Sequence, residues 1–92
     1  MEIPESVSVI GYCTFEGCTS LTRVVIPESV KVIESGTFAE CTNLTSVEIP
    51  DSVTEIGKDA FYGCTKLKNV RLPSSVKLEK NAFDSNCTIT FK

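Results

Sequence analysis

Histidine is absent from this 92-residue chain. With it go the Ser/His and Cys/His pairs on which most nucleophilic catalysis is built. The five glycines are scattered and form no Gly-rich phosphate loop. Carboxylates are plentiful, yet nothing in the sequence suggests a pocket that would shift one of them into acid or base work. No enzymatic activity and no cofactor are therefore expected. No run approaches the ~18 apolar residues of a membrane span, so membrane insertion is not expected. A net charge of −3 is too small to imply a nucleic-acid partner. Met1 is followed at once by Glu2, Ile3 and Pro4, which already belong to the repeat described next. No signal peptide is expected in this chain; it is either cytoplasmic or has lost an upstream segment.

The 41% apolar content argues against disorder, and the length allows one small domain. Charge is unevenly spread. Residues 1–46 hold six acidic and two basic side chains, and residues 47–92 hold six acidic and seven basic ones. Scattered charge of this kind reads first as a solvated surface.

A fixed period organises everything else. Pro4, Pro27, Pro50 and Pro73 stand 23 residues apart, as do Val7, Val30, Val53 and Val76, and Cys18, Cys41, Cys64 and Cys87. Phe15, Phe38 and Phe61 keep the interval and Phe83 falls one residue early. Leu21, Leu44 and Leu67 form a further column, Val24, Val47 and Val70 another, and Ile26, Ile49 and Leu72 a third. Such self-similarity signals a solenoid of stacked turns. One domain, 1–92, is expected, with repeats at 3–25, 26–48, 49–71 and 72–92.

Within a copy, Val47, Glu48 and Ile49 alternate apolar and polar, as a short half-buried strand does. Pro50 lacks the N–H for a further ladder bond and ends it. Ser52 to Ile56 is β-prone and is expected on the opposite wall. Asp59 to Cys64 is too short for a free helix; a tight helical or 3-10 turn there would bring Phe61 and Cys64 inward.

Together the columns read Leu-x-x-Val-x-Ile-Pro-x-Ser-Val-x-x-Ile-Gly-x-x-Ala-Phe-x-x-Cys. This pattern resembles the BspA-type, or Treponema-type, leucine-rich repeat over essentially the whole chain. Thr14 and Thr37 stand where the pattern has alanine, and Glu34 where it has glycine. The resemblance implies a right-handed, mainly β solenoid with a parallel sheet on its concave side. It also implies a protein-binding or adhesion module of a cell-surface or secreted protein.

The fourth copy departs most. It is shortened around Leu78 and lengthened between Phe83 and Cys87, and it ends in Thr88 to Lys92. A C-terminal cap is expected there. The N-terminus shows no cap, so Ile3, Val7, Ile10, Phe15 and Cys18 are expected to lie partly bare. Homo-oligomerisation through Ile3, Val7 and Ile10 follows as an expectation.

Four cysteines in one column, a rung of ~4.8 Å apart, cannot converge on one metal, and their parallel side chains suit disulfides poorly. Small buried hydrophobes are the reading of these four. Cys13 lies outside the column and is the candidate reactive thiol. The phenylalanines read as a packed spine. Glu5, Glu28 and Asp51 lie in a row without a closing loop, which fits a solvated turn better than calcium. The glycosylation sequons at Asn43 and Asn86 read as accidents of a Thr-rich repeat.

A protein partner would meet the outward strand residues, which vary from copy to copy while the inward columns do not. They are Thr22, Arg23 and Val25, then Thr45, Ser46 and Glu48, then Lys68, Asn69 and Arg71. Of these, Arg23, Val25, Ser46, Glu48, Lys68, Asn69 and Arg71 are the candidate partner-binding face. The partner's identity is not encoded.

Overall fold

The structure, a computed structural model, describes residues 3–92. The chain winds as a parallel β-solenoid of four turns measuring 26 × 24 × 19 Å, and no helix occurs among the described residues. Each turn contributes one strand to a back wall and one to a front wall. On the back wall lie β1 (Val9–Ile10), β3 (Val32–Ile33), β5 (Glu55–Ile56) and β7 (Lys77–Leu78), joined in that order as one parallel sheet. On the front wall lie β2 (Arg23–Val25), β4 (Ser46–Glu48), β6 (Asn69–Leu72) and β8 (Thr88–Phe91).

The strands are short because punctuation recurs within every turn. Each proline carbonyl accepts the N–H of the valine three residues on, from Val7 to Pro4, Val30 to Pro27, Val53 to Pro50 and Val76 to Pro73. A second corner is closed by Cys18 N–H to Phe15 O, Cys41 N–H to Phe38 O and Cys64 N–H to Phe61 O, and a third by Leu21, Leu44 and Leu67 donating to those cysteines. These are isolated i→i+3 turns. The single-turn helix expected around Phe61 stops at this stage, because the neighbouring N–H groups are committed elsewhere. Phe38 donates to Ala60 O at 2.7 Å, and Phe61 to Ala82 O at 2.7 Å, in the next turn.

Pairing keeps the 23-residue period through three turns, with Ile10 opposite Ile33 and Ile33 opposite Ile56. It then shortens. Ile56 faces Leu78, Phe61 faces Phe83, and Val70 faces Ile89, only 19 residues away. The loss between Phe83 and Thr88 removes Cys87 from the cysteine column. Cys87 N–H bonds Asp84 O at 3.0 Å, as Leu67 N–H bonds Cys64 O at 3.1 Å. Cys87 thus takes the leucine's place in the turn although its sequence spacing is that of a cysteine.

The core is a set of vertical columns. Val24 at the end of the first turn and Val30, Ile33, Phe38, Cys41 and Leu44 in the second are fully buried, as are Ile56, Phe61 and Leu72 above them. The phenylalanine rings stack nearly parallel, with centroids 5.2, 5.1 and 4.9 Å apart from Phe15 to Phe83. Each stack adds about 0.5–1.5 kcal/mol beyond burial. Thr37 is buried where the pattern has alanine. Its hydroxyl sits between Glu34 O at 2.7 Å and Gly11 O at 3.0 Å, so this buried hydroxyl is not stranded.

Columns predict unequal costs along the spine. Phe38→Ala removes a ring packed on both faces and should cost about 3–5 kcal/mol. Phe15→Ala, at the partly open first turn, should cost distinctly less. Urea unfolding followed by circular dichroism measures both; equal losses would contradict a spine covered from both sides only at its centre.

Candidate functional site

Within the front-wall strands exposure alternates, while Lys68 lies just before β6. In β6 the burial sequence is exposed, buried, exposed, buried from Asn69 to Leu72. Arg23, Glu48, Lys68, Asn69 and Arg71 are exposed, and Val25 and Ser46 are half-buried. Arg23 and Glu48 form an ion pair across adjacent turns. Both are well exposed, so the pair contributes ~1 kcal/mol or less.

Three of these residues, Val25, Glu48 and Arg71, line one hollow of about 390 Å³ together with Val47, Ile49 and Lys92. Arg23, Ser46, Lys68 and Asn69 lie outside it. Lys92 was not among the sequence candidates, because its register is set by the shortened last turn. Its ammonium donates to Ile49 O at 2.8 Å and pairs with Asp51 at 3.0 Å. It thereby reaches across β6 to the start of the third turn.

That hollow crosses a break in the front wall. β2 pairs with β4 and β6 with β8, while no ladder joins β4 to β6. The flanking bonds Thr45 N–H to Thr22 O and Ile26 N–H to Glu48 O have no counterparts between β4 and β6 among the described residues. The back sheet is continuous, and with the corner bonds from Gly36, Phe38 and Glu40 N–H to Lys58, Ala60 and Tyr62 O it carries the hydrogen-bonded connection between the second and third turns.

At the N-terminal end, Ile3 and Ile10 are buried, whereas Val7, Phe15 and Cys18 are partly covered. Ile3, Val7 and Ile10 do come together around a hollow of about 320 Å³, with Val9 and Phe15. Val9, half exposed, is the apolar side chain most open there. Strand alternation in β1 turns it away from Ile10, a signal present in the sequence but masked by the shortness of the strand.

All five cysteines are free thiols. Cys41 Sγ donates to Phe15 O at 3.2 Å and Cys64 Sγ to Phe38 O at 3.1 Å, each tying one turn to the turn before. Burial pushes the Cys64 thiol up to about 12, and burial also raises Cys41 and Cys87. Cys13 is exposed, but its hydrogen bond to the Glu16 carboxylate raises its pKa as well. Access therefore favours reaction at Cys13, while the thiolate is disfavoured at neutral pH.

Glu5, Glu28 and Asp51 are exposed, and no group of three metal-ligating side chains converges among the described residues. No helix there is long and apolar enough to cross a membrane. Asn43 of the first sequon spends its amide on Thr19 O at 2.7 Å.

Three comparisons bear on this geometry. A family model described as a BspA-type leucine-rich-repeat region of six copies matches residues 1–91. The crystal structure of a leucine-rich repeat protein from Bacteroides ovatus superposes with a TM-score of 0.84 at 30% identity, covering all of this chain and 29% of that one. A leucine-rich repeat protein from Treponema pallidum superposes with a TM-score of 0.85 at 25% identity, covering all of this chain and 51% of that one. The chain thus spans about half, or less, of the length of these proteins. A search of curated proteins returns no match.

Thiol chemistry tests the local electrostatics. Alkylation by iodoacetamide near pH 8, mapped by mass spectrometry, should modify Cys13 first and leave Cys64 unmodified. Glu16→Gln removes the carboxylate that holds the Cys13 proton and should speed Cys13 alkylation at that pH. An unchanged rate would show that Glu16 does not control the thiol.

Proposed function

The chain belongs to the BspA-type leucine-rich repeat family, and on that premise we propose that it is a protein-interaction module whose working surface is the outward front wall. Leucine-rich repeat solenoids are in general non-catalytic scaffolds that commonly bind proteins. The observation that carries the reading is the convergence of Val25, Glu48 and Arg71 on one hollow, at positions that differ from turn to turn above columns that do not. The half-buried Val25 supplies an apolar contact, and Arg71 supplies a planar, multidentate donor. Lys68 and Arg71 make the third turn's strand basic, which suits an acidic patch on the partner. A standard interface takes ~800 Å² from each partner, about a sixth of the 4880 Å² exposed here. One wall of four short strands offers less than a large interface, so the contact belongs at the weaker, transient end. Adhesion at a cell surface is the form this binding takes in the reading.

A second reading rests on the N-terminal hollow around Ile3, Val7 and Ile10. Its exposed Val9 and open apolar edge favour association of two copies end to end, which would extend the columns rather than occupy the front wall.

Each reading has its own measurement. A photo-crosslinker at Ser46 should capture a partner with the otherwise native chain. Lys68→Glu with Arg71→Glu should reduce that capture at least tenfold, while Lys31→Glu, outside the front wall, should not; unchanged capture by the double variant removes the front wall from consideration. For self-association, size-exclusion chromatography with light scattering should give a dimer or larger at high concentration and a monomer for Val9→Lys. A native chain that stays monomeric throughout retires that second reading.

A further inference from the structure

The corners that carry the phenylalanines present a different surface. Their outward side chains enclose a hollow of about 440 Å³ with no residue in common with the front wall. Ser35, Gly36 and Ala39 of the second turn line it. Tyr12 of the first turn and Tyr62 of the third line it too, and they are 71% and 48% exposed. Two turns separate the phenols, so they stand roughly 10 Å or more apart. Three carboxylates, Glu16, Glu40 and Asp59, complete the lining with one base, Lys58. None of the three carboxylates takes part in an ion pair among the described residues.

The backbone shows how these side chains are held. Cys13, Glu40 and Asp59 lie at φ values of 53°, 62° and 59°, in two columns whose other members include Gly36 at 68°, and Gly17 and Gly63 at 71° and 80°. The left-handed region favours glycine, and a side chain there carries strain. Among the described residues, three of the four non-glycine residues with positive φ border this one hollow. The glycines in the same columns make room for them. A Cβ on Gly36 would come within 2.9 Å of Cys13 Sγ, and one on Gly63 within 2.6 Å of a Glu40 carboxylate oxygen.

We propose that this groove docks an extended, arginine-bearing segment of a partner protein, with a guanidinium stacked on Tyr12 or Tyr62 and hydrogen-bonded to the neighbouring carboxylates. Charge complementarity selects the occupant: three acids and one base surround two exposed aromatic faces. A guanidinium uses both, through cation–π attraction to the ring and fork-like hydrogen bonds to carboxylate. Phosphate-bearing ligands meet repulsion from the same three carboxylates. Exposed tyrosines are also the kind of side chain that dominates protein interfaces. The site does not depend on the front-wall reading, because it shares no residue with that wall.

The test is a fluorescence-anisotropy titration of the full chain against a labelled heptapeptide of alternating serine and arginine, with lysine and glutamate analogues in parallel. The arginine peptide should bind, the lysine peptide should bind severalfold more weakly, and the glutamate peptide should not bind. Tyr12→Ala with Tyr62→Ala should weaken arginine-peptide binding by about tenfold. Glu16→Gln with Asp59→Asn should weaken it comparably, with each variant's fold confirmed by circular dichroism. Lys68→Glu with Arg71→Glu should leave it no weaker. No binding, equal affinity for the arginine and lysine peptides, or binding indifferent to the tyrosine variant would overturn the proposal. So would a groove already filled by a second copy, seen as a dimer that dissociates on reversal of Lys68 and Arg71.

Discussion

Backbone hydrogen bonds from each turn to the next set the spacing to which every other feature conforms. Phe15 N–H reaches Thr37 O at 2.8 Å, Phe38 N–H reaches Ala60 O at 2.7 Å, and Phe61 N–H reaches Ala82 O at 2.7 Å. Each side chain therefore lies directly over its counterpart one turn away. Ring centroids near 5 Å along the phenylalanine column are the direct consequence. So is the sequence period: a column holds together only when each of its members fills nearly the same volume. Residues that close a polar gap belong to the same logic. The Cys41 and Cys64 thiols each donate to a phenylalanine carbonyl of the preceding turn, which a plain aliphatic of that size could not do.

The same constraint makes the ends unequal to the middle. In a one-dimensional stack an internal turn is covered twice and a terminal turn once. Leu44 and Leu67 are buried while Leu21 is partly open, and Cys41 and Cys64 are buried while Cys18 is not. The last turn meets its exposed position differently. Its chain is shortened, β8 places Thr88 and Thr90 outward, and Lys92, just beyond the strand, reaches back to the Ile49 carbonyl. Phe91 remains 54% exposed, so this end is polar only in part.

Periodicity made the fold legible, because a parallel stack writes its core into the sequence as columns. The proline corners, the two walls and the phenylalanine spine all follow from residues 23 apart. What escaped was whatever broke the period. Cys87 keeps the cysteine spacing but not the cysteine place: the lengthening expected between Phe83 and Cys87 is in space a shortening, with Asp84 standing where Cys64 does one turn earlier. The break between β4 and β6 was equally hidden, because Val47 and Val70 keep their column while the ladder between them is lost. On the candidate face, strand alternation located Glu48, Asn69 and Arg71. It gave no sign that Val25, Glu48 and Arg71 share a hollow while Lys68 and Asn69 do not. The groove at Tyr12 and Tyr62 was missed because its columns, at residues 12, 35 and 58, at 13, 36 and 59, and at 16, 39 and 62, change residue type from turn to turn, so no repeated identity marks them.

Freedom from the period is what marks residues available for recognition. Inward positions are held by neighbours above and below, so a change there costs packing energy in two turns. Outward positions answer to no such requirement, and here they diverge by wall. Lys68 and Arg71 make part of the front basic, whereas Glu16, Glu40 and Asp59 make the phenylalanine corners acidic. These opposite charges nearly cancel in a net −3, so the sum conceals two fields that a partner meets separately. Within a chain only four turns long, surface chemistry is thus divided between walls rather than spread along one extended face. The backbone ladder permits this division because it fixes where side chains project and leaves their charge undetermined.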